Sequence, residues 1–269
     1  MKKLPIKLTV VLLIMVTLGA TARSDQVVRL RVLSYNIHHG EGVDRKLDLE
    51  RIAKVILSVK PDLVALQEVD RKTSRTKNVD QPETLAQLTK MHVAFGANIE
   101  FQGGDYGNAV LSRFPMAGFQ NHLLPNVDRG EQRGVLVTTI PIDQANIRLR
   151  LLATHFDYRS DDKERIQSAQ MVNALVEKDD RPSLLLGDLN DVLSSDTLKE
   201  LKTEWTLTND KPLPTIPVAD PARQIDFILF RPARHWRVIE TRVLKEAVAS
   251  DHRAIFSVLE LVTGKNRDK

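Results

Sequence analysis

Residues 183–191 read SLLLGDLND. Leu184, Leu185 and Leu186 are bare hydrocarbon, which marks a buried strand. Gly187 is expected to open a turn, and Asp188 and Asn190 follow at once. A buried strand that delivers a carboxylate and a carboxamide at its end needs partners there, because unpaired buried polar groups are costly. The same pattern recurs along the chain. LSYN ends in Asn36, LQE in Glu68, ATHFD carries His155, QIDF carries Asp226, and SDH holds Asp251 and His252. Residues two apart on a strand share a face, so Asp188 and Asn190 point the same way if the extended geometry continues, as do His155 and Asp157. Asp251 and His252 are neighbours and fit a turn that lets both face one cleft.

Between these runs the spacing becomes helical. Leu49, Ile52, Ile56 and Val59 lie on one helical face, Asp48 can cap its start, and Lys60-Pro61 ends it. Further helices are expected over residues 83–91 and 161–177. The latter carries Ile166, Ala169, Val172 and Val176 on one face. Strands are expected at 28–37, 62–69, 107–112, 133–140 and 147–156, and in SLLLGD, QIDFILF and HRAIFSVLEL. The strands at 133–140 and 147–156 should be antiparallel, since only DQAN and a few flanking residues join them. Mixed sheets with interspersed helices give an α/β fold. No repeat, low-complexity block or linker divides the chain, so a single domain is expected, with a frayed tail at 264–269.

The first residues read differently. Lys2, Lys3 and Lys7 precede an apolar run over 8–18, and Gly19-Ala20-Thr21-Ala22 offers a small-residue exit. These are the parts of a secretory signal peptide. The run is short for a bilayer span. Residues 1–22 are expected to be a cleaved leader and 23–269 the mature domain, exported to the periplasm or beyond. Charge follows from this. The chain has 39 basic and 35 acidic residues, a formal +4, and removing the leader's three lysines leaves +1. A mature chain near neutrality carries no global nucleic-acid footprint. There is no cysteine, which excludes disulfides, thiolate nucleophiles and thiolate metal sites. An exported chain without disulfides fits a bacterial envelope product.

Each strand-end residue has a plain reading alone: Asn36 a turn residue, Glu68 a solvated strand end, Asp188 a helix cap. Together they form an oxygen- and nitrogen-rich set without sulfur, suited to Mg²⁺, Mn²⁺ or Ca²⁺. Two histidines with several carboxylates also supply acid, base and metal ligand for hydrolysis.

The segments SYNIHHG, PDLVALQEVD, YGNAVLSRFP, THFD, LLLGDLND, QIDFILF and ASDHRAIF resemble, in order, the motifs of the endonuclease/exonuclease/phosphatase superfamily with the DNase I-like fold. The resemblance spans residues 28–261. It implies a four-layer α/β sandwich, two packed mixed β-sheets flanked by helices, that hydrolyses phosphoesters with Mg²⁺ or Mn²⁺. Carried over by position, it makes Glu68 the main metal ligand, with Asn36 beside it and Asp251 a further metal-site carboxylate. It has His252 contact the scissile phosphate or act as base, paired with Asp226. Asp188 would position or deprotonate the attacking water, and Asn190 would orient the phosphate. His155 would stabilise the phosphate or protonate the leaving oxygen.

THFD puts His where the superfamily's apurinic-site endonucleases usually have Tyr, which points away from DNA repair. The extended forms around Asn36 and Glu68 look most like a bacterial branch grouped with GPI-lipid remodelling proteins. The expected partner is a phosphoester substrate, whether lipid-linked, small or nucleic acid. The chain is expected to be a monomer with no stable protein partner. A secreted nuclease and a catalytically inactive binding domain are the alternatives. Arg71, Lys72, Arg75 and Lys77 form a basic cluster that would hold a phosphate or be an ordinary solvated loop. His38 and His39 could line the cleft, while His92, His122 and His235 read as structural.

Overall fold

The computed structural model describes residues 26–127, 129–143 and 146–263. The expected leader and the 264–269 tail lie outside them. The apolar runs become the centres of two six-stranded sheets. In the first, β1 (Gln26–Asn36) lies parallel to β2 (Leu63–Arg71). β3 (His92–Phe101) and β4 (Gly104–Ser112) extend it on one side. β11 (Trp236–Val243) and β12 (Ile255–Thr263) extend it on the other. The second sheet is built around a parallel pair, β7 (Ile147–His155) and β8 (Ser183–Asp188). β5 (Gly118–Leu123) and β6 (Gly134–Ile142) flank β7. β9 (Thr206–Leu207) and β10 (Asp226–Arg231) flank β8. Both sheets are mixed, and the β6–β7 pair is antiparallel, as its short connection requires.

Alternation sorts each strand into two faces. Leu30, Val32, Leu63 and Ala65 of the first sheet meet Leu149, Leu151, Ala153, Leu184, Leu186 and Ile228 of the second in one dry core. The opposite face of the first sheet, with Leu33, Tyr35, Val64 and Leu66, packs on α1 (Leu49–Ser58) and α2 (Gln81–Thr89). Leu152, Leu185, Phe227 and Leu229 pack on α3 (Lys163–Ala174) and α4 (Asp196–Leu201). The result is a four-layer α/β sandwich, as the family resemblance implies. Asp48 caps α1 by accepting from Arg51 N–H. The helix stops at Ser58, just before Lys60-Pro61.

Two expectations change. Gly187 opens no turn, because it lies inside β8. A Cβ there would come within 2.2 Å of the Thr154 carbonyl oxygen on β7, so glycine is needed for close strand approach. Four strands, β3, β5, β9 and β11, carry no clear signal in the sequence. β5 and β11 are largely exposed, and β9 has two residues. Such strands depend on backbone pairing with a neighbour more than on apolar content.

Candidate active site

The inward faces of the strands end in polar residues, and those ends meet at one edge of the sandwich. On β1 the set Leu30, Val32 continues through Ser34 to Asn36. On β7 the set Leu149, Leu151, Ala153 continues to His155. On β8 Leu184 and Leu186 lead to Asp188, and on β10 Phe230 and Ile228 lead back to Asp226. Register completes the placement: His155 and Asp226 both pair with Asp188 across their strands. Asn36, His155, Asp188 and Asp226 are all buried.

Glu68 is the exception to this alternation. By parity it would share the helix-covered face of Val64 and Leu66. A register shift between Leu66 and Val69 interrupts the β2–β4 ladder there, and Glu68 takes the left-handed region, φ 57°. This bulge turns the carboxylate into the cleft. A non-glycine residue in that region costs about 1–2 kcal/mol, and such cost collects at functional positions. His38 (φ 46°) and His39 (φ 44°) carry it too, as does Asn190 (φ 50°).

Asp188 is the hub. Its Oδ2 accepts from Asn36 Nδ2 at 3.1 Å and lies 3.6 Å from both His155 Nε2 and His252 Nε2. Its Oδ1 accepts from Asn190 N–H at 2.9 Å. Extended geometry therefore does not join Asp188 to Asn190. The chain leaves the strand, and a short side-chain-to-backbone turn brings the Asn190 carboxamide to 3.0 Å from His155 Nε2. Burial and the Asp226 charge push Asp188 up to about 7, against the pull of His252, Asn190 and Asn36.

His252 comes from the turn before β12, as SDH suggests. Ser250 Oγ donates to the Asn36 carbonyl at 2.7 Å and accepts from His252 N–H, which ties this turn to β1. His252 Nδ1 bonds Asp226 Oδ2 at 2.9 Å. Burial opposes its charge, but Asp226 and Asp188 outweigh burial and push it up to about 10. His155 goes the other way. Burial, with Arg133 and His252 alongside, holds it well below the usual imidazole range. Arg133 Nη1 donates to His155 Nδ1 at 3.0 Å. Asn190 Nδ2 meets the other ring nitrogen, Nε2, at 3.0 Å, so an N–H donor faces each nitrogen of the ring.

The remaining residues take other places. Asn36 meets Glu68 Oε1 at 2.9 Å through its amide nitrogen, which cannot ligate a cation, and its Oδ1 accepts from His38 N–H. The structure thus gives Asn36 a bridging position between Glu68 and Asp188. Asp251 is half-buried, 3.3 Å from Ser250 Oγ. It joins neither group of converging candidate ligand atoms among the described residues, which are His38, His39 and Glu68 in one and Asp188, Asp226 and His252 in the other. Asp157 does not share the site with His155 and instead holds Arg159.

Glu68, His155, Asp188, Asn190 and His252 border a cleft of about 270 Å³, walled also by Arg75, Phe101, Tyr106, Glu131, Arg133 and Tyr158. Of the basic cluster, Arg75 reaches this wall, forked onto buried Asp70 and under the Phe101 ring. Arg71 pairs with Asp105, and Lys72 and Lys77 are exposed. Burial raises Glu131 despite its ion pair with Arg133. Tyr106 and Glu131 fall in the segments 98–106 and 125–133, where the sequence suggests loops that set substrate choice, whereas no local pattern marks Tyr158. The cleft offers carboxylate oxygens and imidazoles without sulfur, and Asp226 Oδ1 is buried without a hydrogen-bond partner. A hard divalent cation fits that donor set.

Known proteins agree with this architecture. YbhP, an uncharacterized protein of Escherichia coli (strain K12), is 29% identical over 237 residues, covering 79% of this chain and 92% of YbhP. The endonuclease/exonuclease/phosphatase from Beutenbergia cavernae superposes with a TM-score of 0.74 at 26% identity, over 87% of this chain and 72% of its own. A mannosyl-6-phosphatase of Bacteroides thetaiotaomicron shares the fold, with a TM-score of 0.69 at 18% identity over 86% of this chain and 99% of its own. Residues 33–252 match the Endonuclease/Exonuclease/phosphatase family profile from the first inward strand to His252, and the chain belongs to that family of phosphoester hydrolases.

Proposed function

We propose that the protein is an exported, divalent-metal-dependent phosphodiesterase or phosphatase acting on a small or lipid-linked phosphoester. The observation that carries this reading is Asp188, a buried carboxyl held near neutrality with two imidazoles 3.6 Å from one oxygen. A group that takes a proton in hydrolysis works best when its pKa lies near the operating pH. Asp188 meets that condition and orients or deprotonates the attacking water. His252 is charged at neutral pH, so it serves the phosphate oxygens as a cation and not as the base. His155 stabilises the same phosphate, and the Asn190 carboxamide orients it. Asp226 fixes the His252 ring, and Asn36 holds Glu68 and Asp188 at a set distance.

Glu68 would hold the cation, which when bound supplies positive charge where negative charge develops on the phosphoryl oxygens. Asp251, a carboxylate in the turn beside His252, is the weaker ligand candidate. The likeness to a mannosyl-6-phosphatase makes sugar phosphates worth including among substrates.

The test is turnover of p-nitrophenyl and bis-p-nitrophenyl phosphate with Mg²⁺ or Mn²⁺. A panel of phospholipids, inositol and sugar phosphates and nucleic acids follows. Turnover lost on chelation and in Glu68→Gln is expected. No turnover with any cation would leave the inactive binding domain, and preference for plasmid DNA would favour the nuclease. Export is tested by N-terminal sequencing of the protein from cell fractions. An intact Met1 in the cytoplasm would remove it.

A further inference from the structure

The His38–His39–Gly40 turn is not used by the chemistry above, yet its backbone is costly. His38, His39 and Gly40 take φ of 46°, 44° and 78° in succession. Gly40 suits this region, but histidine does not. The turn is clamped from both sides. His38 N–H donates to Asn36 Oδ1, and Gln81 Nε2 donates to the His39 carbonyl at 2.6 Å. Gln81 Oε1 in turn accepts from Asp70 N–H on β2. The clamp holds two consecutive imidazoles edge to face, their centroids 4.5 Å apart.

These rings converge on Glu68, the third residue here held in the left-handed region. One ligand atom from each of His38, His39 and Glu68 lies within 4.8 Å of the others. His38 Nδ1 is 3.1 Å from the Glu41 carbonyl oxygen. A carbonyl only accepts, so the Nδ1 proton is fixed there and the Nε2 lone pair is free. Metal-bound histidines commonly have one ring nitrogen so occupied. His39 Nδ1 is buried with no hydrogen-bond partner.

We propose that His38, His39 and Glu68 bind a borderline transition cation of the Zn²⁺, Co²⁺ or Ni²⁺ class. Two imidazoles and one carboxylate suit such ions, whereas Mg²⁺ takes oxygen donors and keeps its water. The proposal deepens the hydrolase reading, because it shares Glu68 with it and adds a preference among cations. The backbone strain finds its use here: left-handed residues carry the two adjacent imidazoles and the mid-strand carboxylate that meet at one point.

The test uses the full chain after chelation and desalting. Zn²⁺ and Mg²⁺ affinities are measured by calorimetry, and zinc coordination by X-ray absorption at one equivalent. Two imidazoles on zinc are expected in the unmodified protein. His38→Asn and His39→Asn, chosen because asparagine tolerates left-handed backbone, should each remove one ring. Each should weaken Zn²⁺ about tenfold or more and leave Mg²⁺ binding unchanged. Should either variant fail to fold, the absorption spectrum of His252→Gln, in which two imidazoles on zinc should remain, decides instead. Fewer than two imidazoles on zinc would overturn the proposal. So would Zn²⁺ affinity that depends on Glu68 but not on the histidines, a result that leaves the hydrolase reading standing. Two imidazoles on zinc that do not depend on His252, without phosphoester turnover under any cation, would keep this site and remove that reading.

Discussion

Asp188 and His252 face one another under opposite pressures, and both have consequences for stability and rate. In Asp188→Asn the shape is kept and the proton acceptor is lost. Turnover should fall by about 10²–10⁴-fold. The melting temperature should hold or rise, because a buried carboxyl disfavoured by its surroundings is gone. A large loss of both would mean that Asp188 is structural. pH separates the two groups in chelated protein. Asp188 is raised from 3.8 to about 7, so its protonated form favours the fold. Its contribution is lost as pH rises from 3.8 and is gone above about 7. His252 is raised from 6.5 to about 10, so its charge favours the fold. That contribution is complete below 6.5 and lost as pH rises through about 10. The melting temperature should therefore decline along both limbs. Asp188→Asn should flatten the lower limb and His252→Gln the upper. A rise with pH across either limb would contradict the assignment. At this scale the sequence exposed Asn36, His155, Asp188 and Asp226, because each closes an apolar run on its inward face. It did not expose the contact between Arg133 and His155, which lie far apart in sequence, nor the bulge that redirects Glu68.

The strands and helices differ in how openly they announce themselves. α1 is legible from its cap, its apolar spacing and Lys60-Pro61. β1, β7, β8 and β10 are legible because their apolar runs are buried on both faces. β3, β5 and β11 were hidden, since a pairing partner, not composition, makes them strands. β8 also shows how a glycine misleads: the residue that suggests a turn is the one that lets two central strands approach. Gly187→Ala should push β7 from β8 and lower stability by about 1–3 kcal/mol, measured by urea denaturation. Because Asp188 and His155 sit at the ends of that same pair, turnover should fall as well. An unchanged midpoint would mean that the strands separate freely.

Across the whole molecule, the core between the sheets is continuous with the site, since Leu184 and Leu186 share a face with Asp188. Leu186 is fully buried between the sheets. Leu186→Ala should cost about 2–5 kcal/mol by the same denaturation. A smaller loss would mean that the interface collapses around the gap. The α/β class was readable because strands and helices alternate along the chain, and the four layers followed from the family resemblance. How the two sheets align was not readable, because it depends on contacts between residues far apart, such as Asn36 and Asp188.

That Asn36–Asp188 hydrogen bond joins a carboxamide on one sheet to a carboxylate on the other. Neither half of the sandwich owns the catalytic apparatus; it comes into being when they close on each other. A chain whose halves have collapsed separately should therefore be silent whatever secondary structure it has gained. Activity becomes a gauge of assembly. During refolding, turnover should return only with the last phase, after helical and strand signals have recovered.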